Sequence, residues 1–288
     1  LSVQEGCDKF CSFCVVPYTR GVEISRPAKQ ILNEAQELID IGAKEIILLG
    51  QNVNAWSQSN GKYTDMTFAQ LINEISELNI ERIRYITSHP RDMTEGLMRA
   101  HRDIEKLQPY LHLPVQSGSD KILKEMNRNY SSQEYIDIID KTREYKHDIA
   151  ISGDFIVGFP GETDDDFEAT LDIVKRVKYA HAYSFKYSPR PGTPAALKDD
   201  QIDEEIKSER LKTLQDLIRQ QTRDFNSSFF EKEINVLIEK QGLGVNRLTG
   251  RSSYLQSVHM DGDPSFIGEI VKAKIIKTRD NSLEGIIL

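Results

Sequence analysis

Cys7, Cys11 and Cys14 are the only three cysteines of this 288-residue chain, and all of them fall in one short stretch. Spaced x3 and x2, they offer three soft thiolates on one tight loop, and thiolates select zinc, Cu(I) or iron–sulfur clusters. Structural zinc asks for four ligands; no fourth cysteine exists, and the histidine closest in sequence is the distant His89. Cys11 and Cys14 also fit a thiol–disulfide relay, which leaves Cys7 without a role. A 4Fe–4S cluster usually takes four thiolates, so three leave one iron with open coordination where a substrate can bind. An odd cysteine count in a long chain excludes a disulfide-framed secreted scaffold.

The elements around the triad set where such a loop would sit. From Ala28 to Tyr187 the sequence alternates helical and strand patterns. Ile31, Ala35, Leu38 and Ile39 mark one helix face, with Gly42 placed to end it. Strands are predicted at Glu45–Leu49, Arg82–Thr87, Leu111–Val115, Ile149–Val157 and Ala182–Tyr187. Helices are predicted over Phe68–Leu78, Glu95–Ile104, Asp120–Met126 and Ser132–Tyr145, and after the cap Thr163, whose first turn carries Asp164–Asp166. A βα series with short connections implies a parallel sheet, closed into a barrel or open, with function at the carboxyl ends of its strands. Those ends carry Gly50-Gln51-Asn52, Ser88-His89-Pro90, Gln116-Ser117-Gly118 and Gly158-Phe159-Pro160-Gly161. Residues 203–224 read as a long connecting helix. Beyond it a period-2 pattern at Ile234–Ile238, Ile267–Lys277 and Ile286–Leu288, punctuated by glycines, suggests a small β-barrel.

Composition bounds the reading. With 39% hydrophobic and 28% charged residues the chain is a folded, soluble type rather than a disordered one. No apolar run approaches the ~18 residues of a membrane helix. The net charge of −8 argues against sequence-blind grip on phosphates, though a local basic face is compatible with it. All of that excess lies in residues 1–225, because residues 226–288 are neutral. The start at Leu1, with the densest motif immediately after it, reads as that of a fragment.

The string Gly6-Cys7-Asp8-Lys9-Phe10-Cys11-Ser12-Phe13-Cys14 resembles the cluster loop of radical S-adenosylmethionine (radical SAM) enzymes. Its continuation, Val15-Val16-Pro17-Tyr18-Thr19-Arg20-Gly21 and Ser25-Arg26-Pro27, is similar to the methylthiotransferase family. Gly50–Trp56, Ser88-His89-Pro90, Leu113–Gly118 and Gly158–Thr163 match the branch that methylthiolates isopentenyl-adenosine beside the anticodon of tRNA. The last segment resembles the TRAM module, a small RNA-binding β-barrel. The resemblance implies an α/β fold: a partial (β/α)6 TIM-like barrel over residues 1–225, then an all-β barrel over 226–288. It also implies an N-terminal domain, absent here, with a second, auxiliary 4Fe–4S cluster that delivers sulfur.

By the same resemblance Cys7, Cys11 and Cys14 ligate a 4Fe–4S cluster, whose open iron takes S-adenosylmethionine. The expected product is a methylthio group on carbon 2 of the adenine. Candidates for the cofactor shelf are Gln51 and Asn52 for the amino-acid part, Gln116 and Ser117 for the ribose, Gly158 for close backbone approach and Phe13 against the adenine. Arg20, Arg26, Arg190 and His89 are candidates for RNA or the cofactor carboxylate. Arg251, Lys272 and Lys274 are candidates for a phosphate-tracking face on the β-barrel. Lys272 and Lys274 share a side if their strand is regular. The implied partners are a tRNA anticodon stem-loop and a flavodoxin- or ferredoxin-like electron donor, for a cytoplasmic monomer without membrane contact. Two other targets fit the family, a ribosomal protein and threonylcarbamoyl-adenosine. A non-catalytic RNA-binding protein with a structural cluster is the alternative from a different class.

Overall fold

The computed structural model describes residues 1–59, 65–244 and 246–288. Two short strands, β1 (Gln4–Glu5) and β2 (Ile24–Ser25), pair antiparallel and flank the cysteine loop. The main sheet is parallel and curved. Its first rung is residues 1–3, joined to the next by Val3 N–H to the Leu49 carbonyl and Leu49 N–H to the Leu1 carbonyl, both 2.9 Å. That next rung is β3 (Glu45–Leu48). A second small antiparallel pair, β4 (Ser57–Gln58) and β5 (Met66–Thr67), follows it. The sheet continues through β6 (Arg82–Tyr85), β7 (Tyr110–His112), β8 (Ala150–Val157) and β9 (His181–Lys186). Parallel ladders link β3 to β6 and β7 through β8 to β9. The link from β6 to the chain entering β7 runs through Ile83 N–H to Lys106 O at 2.8 Å and Gln108 N–H to Ile83 O at 2.9 Å. Among the described residues no ladder joins β9 back to residues 1–3, so the six rungs form a partial barrel.

The helices α1 (Val16–Arg20), α2 (Ala28–Asp40), α3 (Phe68–Ser76), α4 (Glu95–Asp103), α5 (Asp120–Glu125), α6 (Ser132–Tyr145) and α7 (Asp164–Val177) occupy the connections. Local chemistry explains where several begin. Thr67 with Gln70, Ser131 with Glu134 and Thr163 with Asp166 each close a reciprocal capping box, which satisfies two backbone donors that a helix start leaves open. The main core lies between helices and sheet, where Ile31 and Ala35 meet Ile46, Leu48, Ile72, Ile83 and Tyr85. The strand predicted at Leu111–Val115 is regular only over Tyr110–His112. Pro114 has no N–H to give, yet pairing resumes with Gln116 N–H to Asp154 O at 2.9 Å.

Residues beyond β9 run through α8 (Glu204–Ser227) into β10 (Glu233–Gln241), β11 (Arg247–Ser252), β12 (Ser257–Asp261), β13 (Ile270–Thr278) and β14 (Ser282–Ile287). These five strands close into a barrel in the order β10-β11-β12-β14-β13 around Val236, Ile238, Leu248, Val258, Met260, Ala273, Ile275 and Leu283. The periodicity located β10, but β11 and β12 carry too many polar residues to stand out, and the strand expected from Ile267 starts at Ile270, after a turn at Pro264–Phe266. The residues expected as a strand at Ile286–Leu288 are the end of β14. No helix among the described residues is long and apolar enough to cross a membrane.

Candidate functional site

The cysteine loop lies at the carboxyl ends of the parallel strands. Gly6 enters it with φ +73°, and a Cβ there would stand 2.0 Å from the Val22 carbonyl oxygen, so only glycine lets the two loop arms approach. Gln51, at the end of β3, accepts from the Gly6 N–H at 2.7 Å; Gln4 donates to the Gly6 carbonyl at 2.7 Å and accepts from the Asn52 N–H at 3.0 Å. Asn52 is buried and donates to Asp92 at 2.8 Å, and Asp92 pairs with Lys9 at 2.7 Å. Gln51 and Asn52, expected as cofactor contacts, are thus engaged in fixing the loop.

The opposite side of the loop is held by a segment the sequence did not single out. Ser12 donates its N–H to Met126 O at 3.0 Å and its hydroxyl to Glu125 O at 2.7 Å. Asn127 donates to the carbonyls of Lys9 and Phe10 at 3.2 and 2.9 Å. Arg128 donates Nη1–H to Cys11 Sγ at 3.5 Å, Nη2–H to Pro114 O at 2.6 Å and Nε–H to the Tyr130 hydroxyl at 2.8 Å. Phe13 packs with Ile122, Met126, Phe159, Tyr187 and Ala195, so it anchors the loop to the core. A sequence signal for Asn127 and Arg128 exists only as two polar residues after a short helix, which is uninformative without the contact.

All three thiols are partly exposed, and burial is the main cause raising the pKa of Cys7 and of Cys14. No three His, Cys, Asp or Glu side chains among the described residues converge on a point that would hold a single metal ion. His89 is buried, its Nε2 has no hydrogen-bond partner among the described residues, and burial, then Arg128, lowers its pKa to about 2. A zinc site closed by His89 therefore lacks the required convergence. A 4Fe–4S cluster instead presents separate iron corners to separate thiolates, and the buried cation beside Cys11 suits an anionic group. The residues fit that cofactor.

The other expected residues divide. Gln116 is buried with φ +78°, at the end of β7. Ser117 is fully buried against α7, its hydroxyl 3.2 Å from that of Thr170 and accepting from Ser119 N–H at 3.2 Å. Gly158 has φ +69°, and its close approach is to Lys207 Cγ, 2.3 Å from a Cβ built there. Its N–H donates to Glu162 at 2.7 Å, which is ion-paired with Arg210 at 2.7 Å. Arg26 pairs with Glu34 at 2.7 Å, whereas Arg20 and Arg190 are exposed and no carboxylate among the described residues pairs with them. On the C-terminal barrel Arg251 lies 3.5 Å from Glu239 and Lys272 lies 2.7 Å from Glu233. Lys272 and Lys274 alternate with buried Val271, Ala273 and Ile275, so both face outward.

The concave face of the sheet carries several polar side chains. Ile151, Phe155 and Val157 of β8 pack toward the helices, which turns Ser152, Asp154 and Ile156 inward. His112 sits 3.5 Å from Asp154 and 3.1 Å from the Ser152 hydroxyl, with the Tyr183 ring edge-on to it; Tyr183 and Phe185 of β9 are 51% and 54% exposed. Exposed aromatics and a carboxylate on one concave wall make a surface suited to a planar, hydrogen-bonding substrate.

Known proteins carry the same organisation. The sequence model of the Radical SAM superfamily matches residues 1–174, and that of the TRAM domain matches residues 231–288. The tRNA-2-methylthio-N(6)-dimethylallyladenosine synthase of Agrobacterium fabrum is 56% identical over 284 residues, which are 98% of this chain and 62% of that protein. The synthase of the same name from Zymomonas mobilis is 52% identical over 286 residues, 99% of this chain and 64% of that protein. The chain thus spans less than two thirds of the length of these relatives. In fold, it is similar to coproporphyrinogen III oxidase of Escherichia coli, with a TM-score of 0.54 at 18% identity over 98% of this chain and 70% of the other. The radical SAM methyltransferase TsrM of Kitasatospora setae aligns with a TM-score of 0.56 at 17% identity over 68% of this chain and 38% of the other. Cysteine loop, partial barrel and sequence likeness agree, and the chain belongs to the radical SAM superfamily.

Proposed function

We propose that this chain is the radical-generating and RNA-holding part of a methylthiotransferase acting on isopentenyl-adenosine in tRNA. The single observation that carries the reading is the three-thiol loop braced at the strand ends of a partial barrel, in a chain more than half identical to two synthases of that reaction. Membership of the superfamily implies a 4Fe–4S cluster and S-adenosylmethionine. When bound, they supply a one-electron cleavage that yields a 5′-deoxyadenosyl radical able to take hydrogen from an unactivated carbon.

The residues of the chain would bind, orient and shield. Cys7, Cys11 and Cys14 would hold the cluster through their sulfurs. Gln4, Gln51, Asn52 and Asn127 hold the loop in place by the hydrogen bonds described above. Gln116, just beyond β7, is the candidate for contact with the bound nucleoside. Asp154 and His112 would accept and donate hydrogen bonds to the target base, with Tyr183 and Phe185 against its faces. Residues 1–225 would act as the catalytic core and residues 226–288 as the RNA clamp, with Arg20, Arg190, Arg251, Lys272 and Lys274 toward phosphates.

A flavodoxin- or ferredoxin-like protein would provide the electron, and the cytoplasm, where tRNA is modified, would be the compartment. The chain would act as a monomer, and the auxiliary cluster would belong to a domain outside these residues. The test is anaerobic reconstitution followed by assay of 5′-deoxyadenosine with S-adenosylmethionine and dithionite, with and without an anticodon stem-loop carrying isopentenyl-adenosine. Cleavage stimulated by the modified stem-loop and abolished by Cys11→Ala supports the reading. RNA binding that survives loss of all three cysteines, without any cleavage, would favour a binding protein instead.

A further inference from the structure

Arg128 is a buried guanidinium with an unusual set of partners. It is 5% exposed, and its three bonded groups are a carbonyl, a phenol and the Cys11 sulfur. Among the described residues no carboxylate lies within ion-pair distance of it. Buried cations are costly unless an anion balances them. The other deeply buried arginines of this chain have that anion: Arg82 and Arg84 share Glu45, and Arg210 has Glu162 and Asp164.

We propose that Arg128 is a positioning residue that tunes the reduction potential of the group held by the cysteine triad, acting through its N–H···Sγ bond to Cys11. The inference rests on the reading of the triad as a cluster site. Adding one electron from an external reductant to a [4Fe–4S]2+ centre makes it more negative by one charge and breaks no bond. A fixed cation and an N–H donor at one ligand sulfur stabilise that added charge more than they stabilise the oxidised form, and hydrogen bonds to cluster sulfurs raise its potential. The planar fork suits the task because Pro114 O and the Tyr130 hydroxyl lock two of its edges and leave the third aimed at sulfur.

The test compares reconstituted wild type, Arg128→Lys and Arg128→Met by potentiometric titration with dithionite, following the reduced cluster by electron paramagnetic resonance. In Arg128→Met the reduction equilibrium constant should fall at least about tenfold, a shift of about 59 mV to more negative potential for one electron. Arg128→Lys, which keeps the charge without the fork, should fall between the two. Iron per chain and the potential are scored separately, because a merely structural role would lower loading and leave the potential of the loaded fraction unchanged. An unchanged potential in either variant overturns the proposal. Should neither variant fold, 15N-arginine labelling of the wild type decides: nitrogen coupling to the reduced cluster in pulsed resonance supports it, and no coupling overturns it. A wild type that binds no cluster would instead defeat the reading of the triad on which the proposal stands.

Discussion

The two ends of the partial barrel handle buried charge in opposite ways. At the amino ends of the strands, Arg82 and Arg84 point inward with Glu45, whose Oε1 lies 3.0 Å from Arg84 Nε. The turn after β11 closes this floor: Arg84 donates to the carbonyls of Ser252 and Ser253 at 2.7 and 2.8 Å, and Arg82 donates to that of Arg251 at 3.2 Å. Tyr254 packs on Phe225 and Phe229 and donates to Asp148 at 2.6 Å. At the carboxyl ends, no carboxylate among the described residues pairs with Arg128, and five of the ten described non-glycine residues with positive φ gather there: Phe10, Thr87, Gln116, Asn127 and Asn129. Thr87 is β-branched, for which a φ of +68° is a strained conformation. At the floor the arginines are ion-paired within the chain, and their bonds to residues 251–253 hold the C-terminal barrel against the core. The opening holds strain and an unbalanced cation, as a site shaped for something else to bind.

That contrast can be broken most severely at the floor. Arg84→Ala should lower stability by about 3–5 kcal/mol, because it leaves two carbonyls without their donor and Glu45 with only Arg82, 3.9 Å away. The triple variant Glu45→Leu/Arg82→Met/Arg84→Met, which removes the shared ion-pair set whole, should recover part of the loss, as urea unfolding would show. If Arg84→Ala unfolds at the wild-type midpoint, the floor is not the closed junction described.

Between the two ends, the helical layer has its own pH response. His101 is fully buried with Nε2 2.7 Å from the Tyr85 hydroxyl, and burial lowers its pKa from 6.5 to about 3. A depressed histidine contributes stability that is present above pH 6.5. As the pH falls toward 3 the unfolded chain takes a proton that the folded one refuses, so that contribution is lost. Thermal scans from pH 7 to 4 should show a loss on the order of a few kcal/mol from this group, and His101→Gln should flatten the slope. An equal slope in the variant would assign the acid response elsewhere.

At the opening, Gly6→Ala places a Cβ on the Val22 carbonyl and forces an alanine to φ +73°. Its cost should be about 1–3 kcal/mol, smaller than that of Arg84→Ala. Iron retention after reconstitution should fall severalfold while far-ultraviolet circular dichroism stays unchanged. Wild-type retention would mean that the close approach of the loop arms does not shape the site.

Much of this was legible in the sequence, for identifiable reasons. The cysteine loop shows because the spacing is local, and the capping box at Thr163 because its two halves are three residues apart. The alternation Arg82-Ile83-Arg84-Tyr85 reads as a strand, and Ile83 and Tyr85 do face the helices. The inward arginines have no such local mark, since the carbonyls that Arg84 bonds belong to residues 252 and 253, far along the chain. Arg128 and Cys11 are likewise 117 residues apart, and nothing local marks their contact. In β11, Gly250 interrupts the pattern because Leu237 O would lie 2.3 Å from any Cβ there, a demand set by the neighbouring strand. Gln51 and Asn52 were legible as polar strand-end residues, but their bonds to the loop follow only from how the strands are arranged.

The central claim is that the opening is built around an iron–sulfur cluster held by Cys7, Cys11 and Cys14. The direct measurement is iron, sulfide and zinc per chain after anaerobic reconstitution, in wild type and in the triple Cys→Ala variant. The account predicts about four irons and four sulfides in the wild type, a reducible cluster signal, and none of these in the variant. One zinc per chain, or iron that the triple variant retains, would contradict it.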